Sequence, residues 1–359
     1  MFIKSIILRN FKNFSESEFE FSSKINVFVG QNGIGKTNIL DAIHYLALTK
    51  SYLNYSDAQN IKFEEDYFSL EGVFDKNGNE EVIFCGVQRE KAKVFKRNSK
   101  TYDRISDHVG LFPVVMISPY DLDLIKEGSE VRRKFIDNII SQSNKEYLQT
   151  LIRYNRVLAQ RNALLKYFFQ NNRFDKVSLE IYDDELSELG WIIFKERERL
   201  IKEFVPVFQD YYHRISRGNE KVDIQYKSQL SNDSLKNLLQ ANLQKDRTAQ
   251  FTTQGIHKDD LELSILNYPI KKFGSQGQQK SYLISLKLAQ FEQIRNSSQI
   301  TPLLLLDDIF DKLDESRVEE LIKLVNEDRF SQIFISDTHP ERTENIVRKI
   351  NSDSKIFRL

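Results

Sequence analysis

The chain contains 359 residues with a mass of 42.3 kDa, which suits one large domain or two medium ones. Apolar residues make up 40% and charged residues 29%, so the chain is neither membrane-embedded nor disordered. Lys plus Arg number 52 and Asp plus Glu number 52, so binding of a polyanion would need a local basic patch. The N-terminus has the pattern of a strand, not of a signal peptide. The lone Cys85 excludes a disulfide within the chain, and we expect a cytoplasmic protein with no membrane partner.

The first 120 residues are rich in predicted strands, which short Asn/Gly and Asn/Ser turns separate. Apolar alternation or continuous apolar runs predict strands at 3–8, 17–21, 25–29, 68–74, 82–87, 93–96 and 114–117.

Residues 30–37 have the P-loop spacing G-x-x-x-x-G-K-[ST], between the predicted strand 25–29 and a helix-like stretch. Its glycines allow a curl whose N–H groups form an anion nest, at the positive end of a helix. We expect Lys36 to neutralise β- and γ-phosphate oxygens and Thr37 to offer its hydroxyl to Mg²⁺. A glycine-rich turn that binds nothing is the alternative. The predicted nucleotide-binding residues are Gly30, Gln31, Asn32, Gly33, Ile34, Gly35, Lys36, Thr37 and Asn38.

A basic cluster follows in a predicted strand–turn–strand unit around Asn98 and Ser99. Such a hairpin can present cations to phosphates without reading a base sequence. The alternative is a solvated hairpin whose lysines protect an edge strand from aggregation. The predicted DNA contacts are Arg89, Lys91, Lys93, Lys96, Arg97 and Lys100, with Arg104 nearby. A second candidate set, which pairing with neighbouring acids explains nearly as well, is Arg132, Arg133, Arg153, Arg156 and Arg161.

Residues 121–249 are poor in helix breakers and repeat apolar residues at three- and four-residue spacing, which predicts long helices with one short strand at 222–226. Strands return at 261–265, 269–273, 303–306, 333–335 and near Ile356. Helices are predicted from Ser275, after the strand 303–306, and after Pro340. We therefore predict an α/β fold in which 1–120 and 250–359 form one discontinuous domain that the helical lobe 121–249 interrupts.

The strand 303–306 leads into two carboxylates, Asp307 and Asp308, which is the Walker B arrangement. Asp307 is predicted to hold Mg²⁺, through water, and Asp308 to polarise the attacking water. An apolar strand that merely enters a polar turn is the alternative, but the upstream P-loop favours the catalytic interpretation.

The helix from Ser275 begins with the segment Ser275, Gln276, Gly277, Gln278 and Gln279. A hydroxyl and exposed N–H groups at a helix N-terminus form a second anion-binding surface, although an ordinary capped helix is the alternative. Its place about thirty residues before Asp307 resembles the signature motif of ABC-type ATPases. That resemblance implies a signature that faces ATP held by a second copy, and hence an ATP-dependent homodimer. Residues 311–314 resemble a D-loop. His339 resembles the switch histidine with a catalytic role, although it could equally be a surface residue.

Further blocks make the chain similar, over essentially its whole length, to the RecF family, bacterial recombination-repair ATPases of the SMC-like branch. They are residues 10–14, 119–128, 132–137, 154–162, 255–260 and 275–279. The chain departs from the family pattern at Lys12, Ile256 and Lys258, and Ser129-Glu130-Val131 stands where the family has a proline.

The resemblance implies an ABC-type (SMC-like) P-loop ATPase head with a helical second lobe, and a slow Mg²⁺-dependent ATPase that uses ATP. It also implies binding to gapped or junction DNA, cooperation with RecR, a pathway shared with RecO, and loading of RecA on single strands. The alternative is another ATPase subunit of this superfamily, DNA-processing or transport-associated. A nuclease-bearing relative would need an added acidic domain, and a purely structural adaptor does not explain a complete phosphate site.

Overall fold

A computed structural model describes residues 1–53, 55–216, 220–309, 317, 320, 323–324, 329–339 and 353–359. The D-loop-like residues 311–314, the helix expected after Pro340 and most of the helix expected after the strand 303–306 lie outside these ranges. Within them, none of the helices combines the length and apolar character that crossing a bilayer requires.

The described residues form fourteen strands and nine α-helices. The strands are β1 (Phe2–Phe11), β2 (Phe14–Glu20), β3 (Ile25–Val29), β4 (Tyr67–Lys76), β5 (Asn79–Gln88), β6 (Val94–Arg97), β7 (Lys100–Thr101), β8 (Val114–Ile117), β9 (Val222–Lys227), β10 (Asp260–Ile265), β11 (Tyr268–Pro269), β12 (Leu303–Asp307), β13 (Ile333–Asp337) and β14 (Ser354–Arg358). The α-helices are α1 (Lys36–Leu48), α2 (Asp123–Lys126), α3 (Ser129–Ser141), α4 (Lys145–Gln170), α5 (Lys176–Ser216), α6 (Leu235–Ala241), α7 (Leu243–Ala249), α8 (Ile270–Phe273) and α9 (Gln276–Ser298).

Five strands form a parallel sheet in the order β14–β3–β13–β12–β8. The central strands β3, β13 and β12 are buried along their whole length, as continuous apolar runs in a parallel sheet require. Leu306 pairs with Ile335, and Ile335 pairs with Val27, so the carboxyl ends of these strands lie side by side. Because ligands bind at this edge of a parallel sheet, the segments after β3 and β12 belong to one site.

The second sheet of this unit is antiparallel, in the order β2–β1–β4–β5–β6–β7. Its apolar face, α1 and the parallel sheet share one core, in which aromatic rings meet edge to face. Fully buried members of this core are Ile6, Phe11, Phe28, Leu46, Leu70, Leu305 and Phe334. Replacing one of its phenylalanines with alanine would cost about 3–5 kcal/mol of unfolding free energy.

The predicted strand–turn–strand unit around Asn98 and Ser99 is present, with the two-residue β7 as its second strand. Asn98 and Ser99 both have left-handed φ (50° and 66°), as a two-residue hairpin turn requires. One local element differs from the sequence prediction. The predicted strand 269–273 is wrong, because residues 270–273 form the helical turn α8. Of these four residues only Ile270 is buried, a pattern that fits one helical turn better than an alternating strand.

The other compact unit contains most of the helices and the three-stranded sheet β11–β10–β9. Two fully buried arginines join its elements. Arg161 of α4 pairs with Asp183 of α5 at 2.6 Å and with Asp246 of α7 at 2.7 Å. Arg197 of α5 pairs with Asp259, which precedes β10, at 2.9 Å. Because a buried charge is costly unless it is paired, these contacts fix how the helices pack.

The division of the chain differs from the predicted one. One unit comprises 1–122, 211–219 and 276–359, and the other comprises 123–210 and 220–275. Residues 250–275, which the sequence assigned to the ATPase lobe, belong instead to the helical unit. The physical reason is the ladder in which β10 pairs with β9, which lies inside the predicted helical lobe.

Candidate functional site

The P-loop residues link the carboxyl end of β3 to the N-terminus of α1. Gly33 and Gly35 have left-handed φ of 83° and 113°, which L-residues rarely adopt. The buried Lys36 donates hydrogen bonds from Nζ to the carbonyl oxygens of Gly30 at 2.8 Å and Gln31 at 3.0 Å. The loop therefore curls around its own lysine, at the end of α1 that carries positive partial charge.

Asn13, which follows β1, braces this loop from the side. Its Nδ2 donates to the carbonyl of Ile34 at 2.9 Å, and its Oδ1 accepts from Nδ2 of Asn38 at 2.8 Å. In the sequence, the segment 10–14 shows only a family resemblance, and Asn13 was not predicted as a site residue. That segment contains Asn13, but the contacts of Asn13 with Ile34 and Asn38, more than twenty positions away, cannot be predicted from the sequence.

The Walker B acid lies against the P-loop threonine. Oγ1 of Thr37 donates to Oδ1 of Asp307 at 2.8 Å, across 270 residues of sequence. Ser336 of β13 donates to the same oxygen at 2.7 Å. Asp307 is only 2% exposed, and this burial raises the pKa of its carboxyl group, against the lowering by the two hydroxyl donors and by Lys36. Sequence analysis missed Ser336.

This donor set fits a magnesium ion. A hard cation prefers carboxylate and hydroxyl oxygens, and its charge would favour the ionised form of the buried Asp307. Magnesium usually takes one or two protein carboxylates and completes its octahedron with phosphate and water. In keeping with this, the described ranges contain no cluster of three or more His, Cys, Asp or Glu side chains able to hold a metal alone.

Asp308 has a left-handed backbone (φ 45°), and its N–H donates to the carbonyl oxygen and to Oγ of Ser336 at 3.3 and 3.1 Å. The turn directs the chain out of β12, and Asp308 lines a cavity of about 260 Å³. Asn32 of the P-loop, Thr338 after β13 and Lys280 of α9 line the same cavity. The second acid therefore borders open space beside the phosphate loop.

The other predicted catalytic residue, His339, has a side chain that is 63% exposed. Its Nδ1 lies 3.0 Å from Oγ1 of Thr338, and its backbone N–H donates to Oδ1 of Asp337 at 3.1 Å. These contacts anchor the residue after β13, and its role as a switch stays a prediction.

The signature-like segment occupies the start of α9. Ser275 is exposed and immediately precedes the helix, while Gly277 lies in its first turn. A Cβ on Gly277 would lie 2.6 Å from Nη1 of Arg317, so the guanidinium of Arg317 packs against the glycine. The predicted set Ser275, Gln276, Gly277, Gln278 and Gln279 is thus at a helix N-terminus, as expected, with a cation beside it.

A buried polar chain leads from the cavity to the middle of α9. The N–H of Ser118, which lines the cavity, donates to Oδ2 of Asp121 at 2.8 Å. Oδ1 of Asp121 pairs with Nζ of Lys287 at 3.0 Å, and that ammonium also donates to the hydroxyl of Tyr52 at 3.1 Å. The Asp121 and Lys287 side chains are 7% and 5% exposed. No motif in the sequence predicts the Asp121–Lys287 ion pair.

The predicted DNA contacts divide into two groups. The side chain of Lys93 is 16% exposed, and its Nζ pairs with Oδ2 of Asp57 at 3.0 Å. The same Nζ donates to the carbonyl oxygen of Thr49 at 2.7 Å. Arg97 forms a two-pronged ion pair with Glu81, which lowers the pKa of that carboxyl group. Both cations therefore have structural partners. The remaining members, on or beside the β5–β6–β7 edge, are Arg89, Lys91, Lys96 and Lys100, of which all but the half-buried Lys96 are exposed.

The second arginine set is largely paired. Arg132 binds Asp260 through Nε and Nη2 at 2.7 and 3.0 Å, and Arg153 binds Glu185 at 2.6 Å. Arg161 is fully buried. These pairs join different elements, so packing of the helical unit accounts for these residues.

A P-loop whose threonine reaches an acid 270 residues later, in a parallel-sheet unit that a helical unit interrupts, is the organisation of ABC-type ATPases of the SMC-like class. The RecF/RecN/SMC N-terminal domain matches residues 2–355. The Smc head domain from Pyrococcus furiosus, 18% identical with a TM-score of 0.55 over 99% of this chain and 93% of that one, shares the fold.

Relatives with higher sequence identity identify the family within this class. The DNA replication and repair protein RecF of Flavobacterium johnsoniae is 53% identical over the full length of both chains. The protein of the same name from Bacteroides thetaiotaomicron is 48% identical over 100% of this chain and 97% of its own. A solved structure of the recombination mediator protein RecF with ATP, in the RecFOR pathway, has a TM-score of 0.89 at 30% identity, covering 99% of this chain and 95% of that one. The chain belongs to the RecF family of DNA replication and repair proteins.

Proposed function

We propose that this protein binds ATP at the P-loop, hydrolyses it slowly with Mg²⁺, and uses the cycle to dimerise on DNA during recombinational repair. The observation that carries the proposal is the junction of Thr37, Asp307 and Ser336 beside a P-loop curled around Lys36. The RecF relative solved with ATP adds support, because it is similar over nearly the whole chain.

In this proposal the residues have separate tasks. The P-loop N–H groups and Lys36 bind the phosphates, with Asn13 and Asn38 keeping the loop in shape. Thr37 and Asp307 would hold the magnesium ion, whose charge stabilises negative charge that develops on the transferred phosphoryl group. Asp308 orients the attacking water and accepts its proton.

The first test replaces Lys36 with alanine, which removes the ammonium that the phosphates require. We expect the affinity for a fluorescent ATP analogue to fall at least about a hundredfold, as for a lost buried charge contact. The matched control is Lys24→Ala, which removes an exposed lysine just before β3. Equal affinities for wild type and Lys36→Ala, measured by fluorescence titration, would disprove the phosphate role.

Dimerisation follows from the signature-like segment. The support is chemical: Ser275 is an exposed residue immediately before a helix of 23 residues, and the guanidinium of Arg317 packs against Gly277 in the first turn of that helix. A surface of this kind suits the γ-phosphate of ATP held by a second copy, so that two nucleotides would bridge two chains.

For DNA we propose that the exposed Arg89, Lys91 and Lys100, together with the half-buried Lys96, on or beside the β5–β6–β7 edge, contact backbone phosphates without sequence preference. Gapped or junction DNA, cooperation with RecR and RecO, and loading of RecA are proposed from family membership, which the RecF relatives support. Lys93 and Arg97 are left out because their partners already hold them.

The DNA proposal predicts that Lys91→Glu with Lys100→Glu weakens binding to a gapped duplex. Two lost phosphate contacts should lower the slope of log affinity against log salt by about 2. The control is Lys24→Glu with Lys355→Glu, two exposed lysines with the same change in net charge. If both pairs change the slope equally, in anisotropy titrations across salt concentrations, the surface lies elsewhere.

A further inference from the structure

The helical unit contains an open pocket of about 340 Å³ that the proposed ATPase cycle does not use. It lies where α4 ends and where α7 passes the start of α5. Its apolar floor rests on a small core of Leu165, Phe168 and Leu179, and Phe169 and Phe174 remain 56% and 37% exposed at its edge. The complete lining is Leu165, Phe168, Phe169, Asn172, Arg173, Phe174, Gln244, Arg247 and Thr248.

Two guanidinium groups give the pocket its charge. Arg247 lies over the ring of Phe174, with Cζ 4.2 Å from the ring centroid. A guanidinium stacked flat on a ring keeps its N–H edge available and loses little freedom when it binds a carboxylate through two hydrogen bonds. Arg173 adds an exposed second cation.

The described lining contains no acidic side chain, and the nearest acids along the chain already have partners. Asp246 is buried against Arg161 at 2.7 Å. The carboxylate of Asp175 accepts hydrogen bonds from the N–H groups of Val177 and Ser178 at the start of α5. The pocket thus combines an apolar floor with a positive rim.

We propose that this pocket binds a flexible acidic segment of a partner protein, inserting an apolar side chain between Phe169 and Phe174 while a neighbouring carboxylate binds Arg247 and Arg173. Charge complementarity selects this occupant. A single-stranded nucleic acid would need a continuous positive groove with stacking rings along it, whereas the two guanidinium groups lie at one concave pocket. The pocket shares no lining residue with the proposed nucleotide site.

The test measures anisotropy of a short fluorescent peptide of Glu and Asp residues ending in Leu-Phe with a free carboxylate. We expect binding to the full-length protein, and weakening by at least about tenfold in Arg173→Glu and in Arg247→Glu, because each removes a charge-assisted contact. Arg156→Glu, an exposed arginine on α4 outside the pocket, is the matched control and should leave affinity within about twofold.

Peptide variants separate the two contributions. Replacing the acids with lysine, or Leu-Phe with Ser-Ser, should each abolish measurable binding. Arg173 is exposed, so its substitution leaves the fold intact and keeps the test valid even if Arg247→Glu lowers stability. The proposal is overturned if the wild type fails to bind the acidic peptide at millimolar concentration, or if Arg156→Glu weakens it as much. It is also overturned if the pocket variants weaken a labelled oligothymidine but not the peptide.

Discussion

At Gly35, backbone conformation and lack of space both require glycine. Its φ of +113° lies where L side chains are strained. A Cβ there would lie 2.6 Å from Nδ2 of Asn13 and 2.9 Å from the ring of Phe14. Because Asn13 also holds Ile34 and Asn38, any group added at Gly35 would push away the brace of the phosphate loop.

We therefore predict that Gly35→Ala weakens ATP binding by about tenfold or more, since the loop must either strain or release Asn13. Gly78→Ala is the matched control: its φ is +80°, but no atom lies within 4 Å of the added Cβ, in the turn between β4 and β5. That change should cost about 1 kcal/mol of stability and leave ATP affinity unchanged. Titration with a fluorescent nucleotide compares the two, and the same loss in both would attribute the effect to strain alone.

Sequence reasoning at this scale was limited by distance along the chain. Lys36, Thr37 and Asp307 could be proposed because their motifs are local and chemically specific, and a hydrogen bond joins Thr37 to Asp307. Asn13 and Ser336 could not, because an Asn in a turn between strands or a Ser in a buried strand has many ordinary roles. Only the packing of β1 and β13 around the loop gives them a task.

At the scale of elements, α9 is held by a buried ion pair far from its N-terminus. Asp121 follows β8 and Ser118, and Lys287 lies about three turns into α9. The two groups and Tyr52 satisfy one another in a dry environment, so removing one partner leaves an uncompensated buried charge. This arrangement connects the cavity beside Asp308 to the helix that begins after Ser275.

Replacing Lys287 with methionine should lower the free energy of unfolding by about 3 kcal/mol, whereas adding Asp121→Asn should restore much of it. Lys195→Met, which breaks an exposed pair with Glu198 at 2.9 Å, is the surface control and should cost less than about 1 kcal/mol. Urea denaturation of the wild type, the two single variants Lys287→Met and Asp121→Asn, and the double variant measures the coupling energy. Costs that simply add in the double variant would remove the ion pair from this account.

Most elements were readable from the sequence because apolar periodicity sets them. Strands β3 and β8 match their predicted limits, and β1, β4, β5, β9, β10, β12, β13 and β14 lie where expected. The prediction of a strand at 269–273 was wrong because five residues are too few to show whether apolar residues repeat with the strand period or the helix period. Of residues 270–273 only Ile270 is buried, and this pattern fits one helical turn.

For the whole molecule, the sequence predicted an interrupted α/β domain but placed its second boundary, after residue 249, too early. Residues 250–275 look like the strands of the first unit, yet β10 completes its hydrogen bonds with β9 of the helical unit. The sequence of a strand does not identify its pairing partner, because the strands of the first unit and β9 offer equivalent backbone N–H and C=O groups. The helical unit consequently includes Ser275, whereas α9 belongs to the first unit, which contains the P-loop.

The central claim is that ATP is held between two copies of this chain, and one measurement tests it most directly. Sedimentation velocity of Asp308→Asn with ATP and gapped DNA should show a dimer, because ATP binds without being consumed. The same protein with ADP should stay monomeric, and so should Ser275→Arg with ATP. The control Ser231→Arg, at an exposed serine, should still form the dimer with ATP. If ATP-loaded Asp308→Asn stays monomeric on gapped DNA at high concentration, the claim is contradicted.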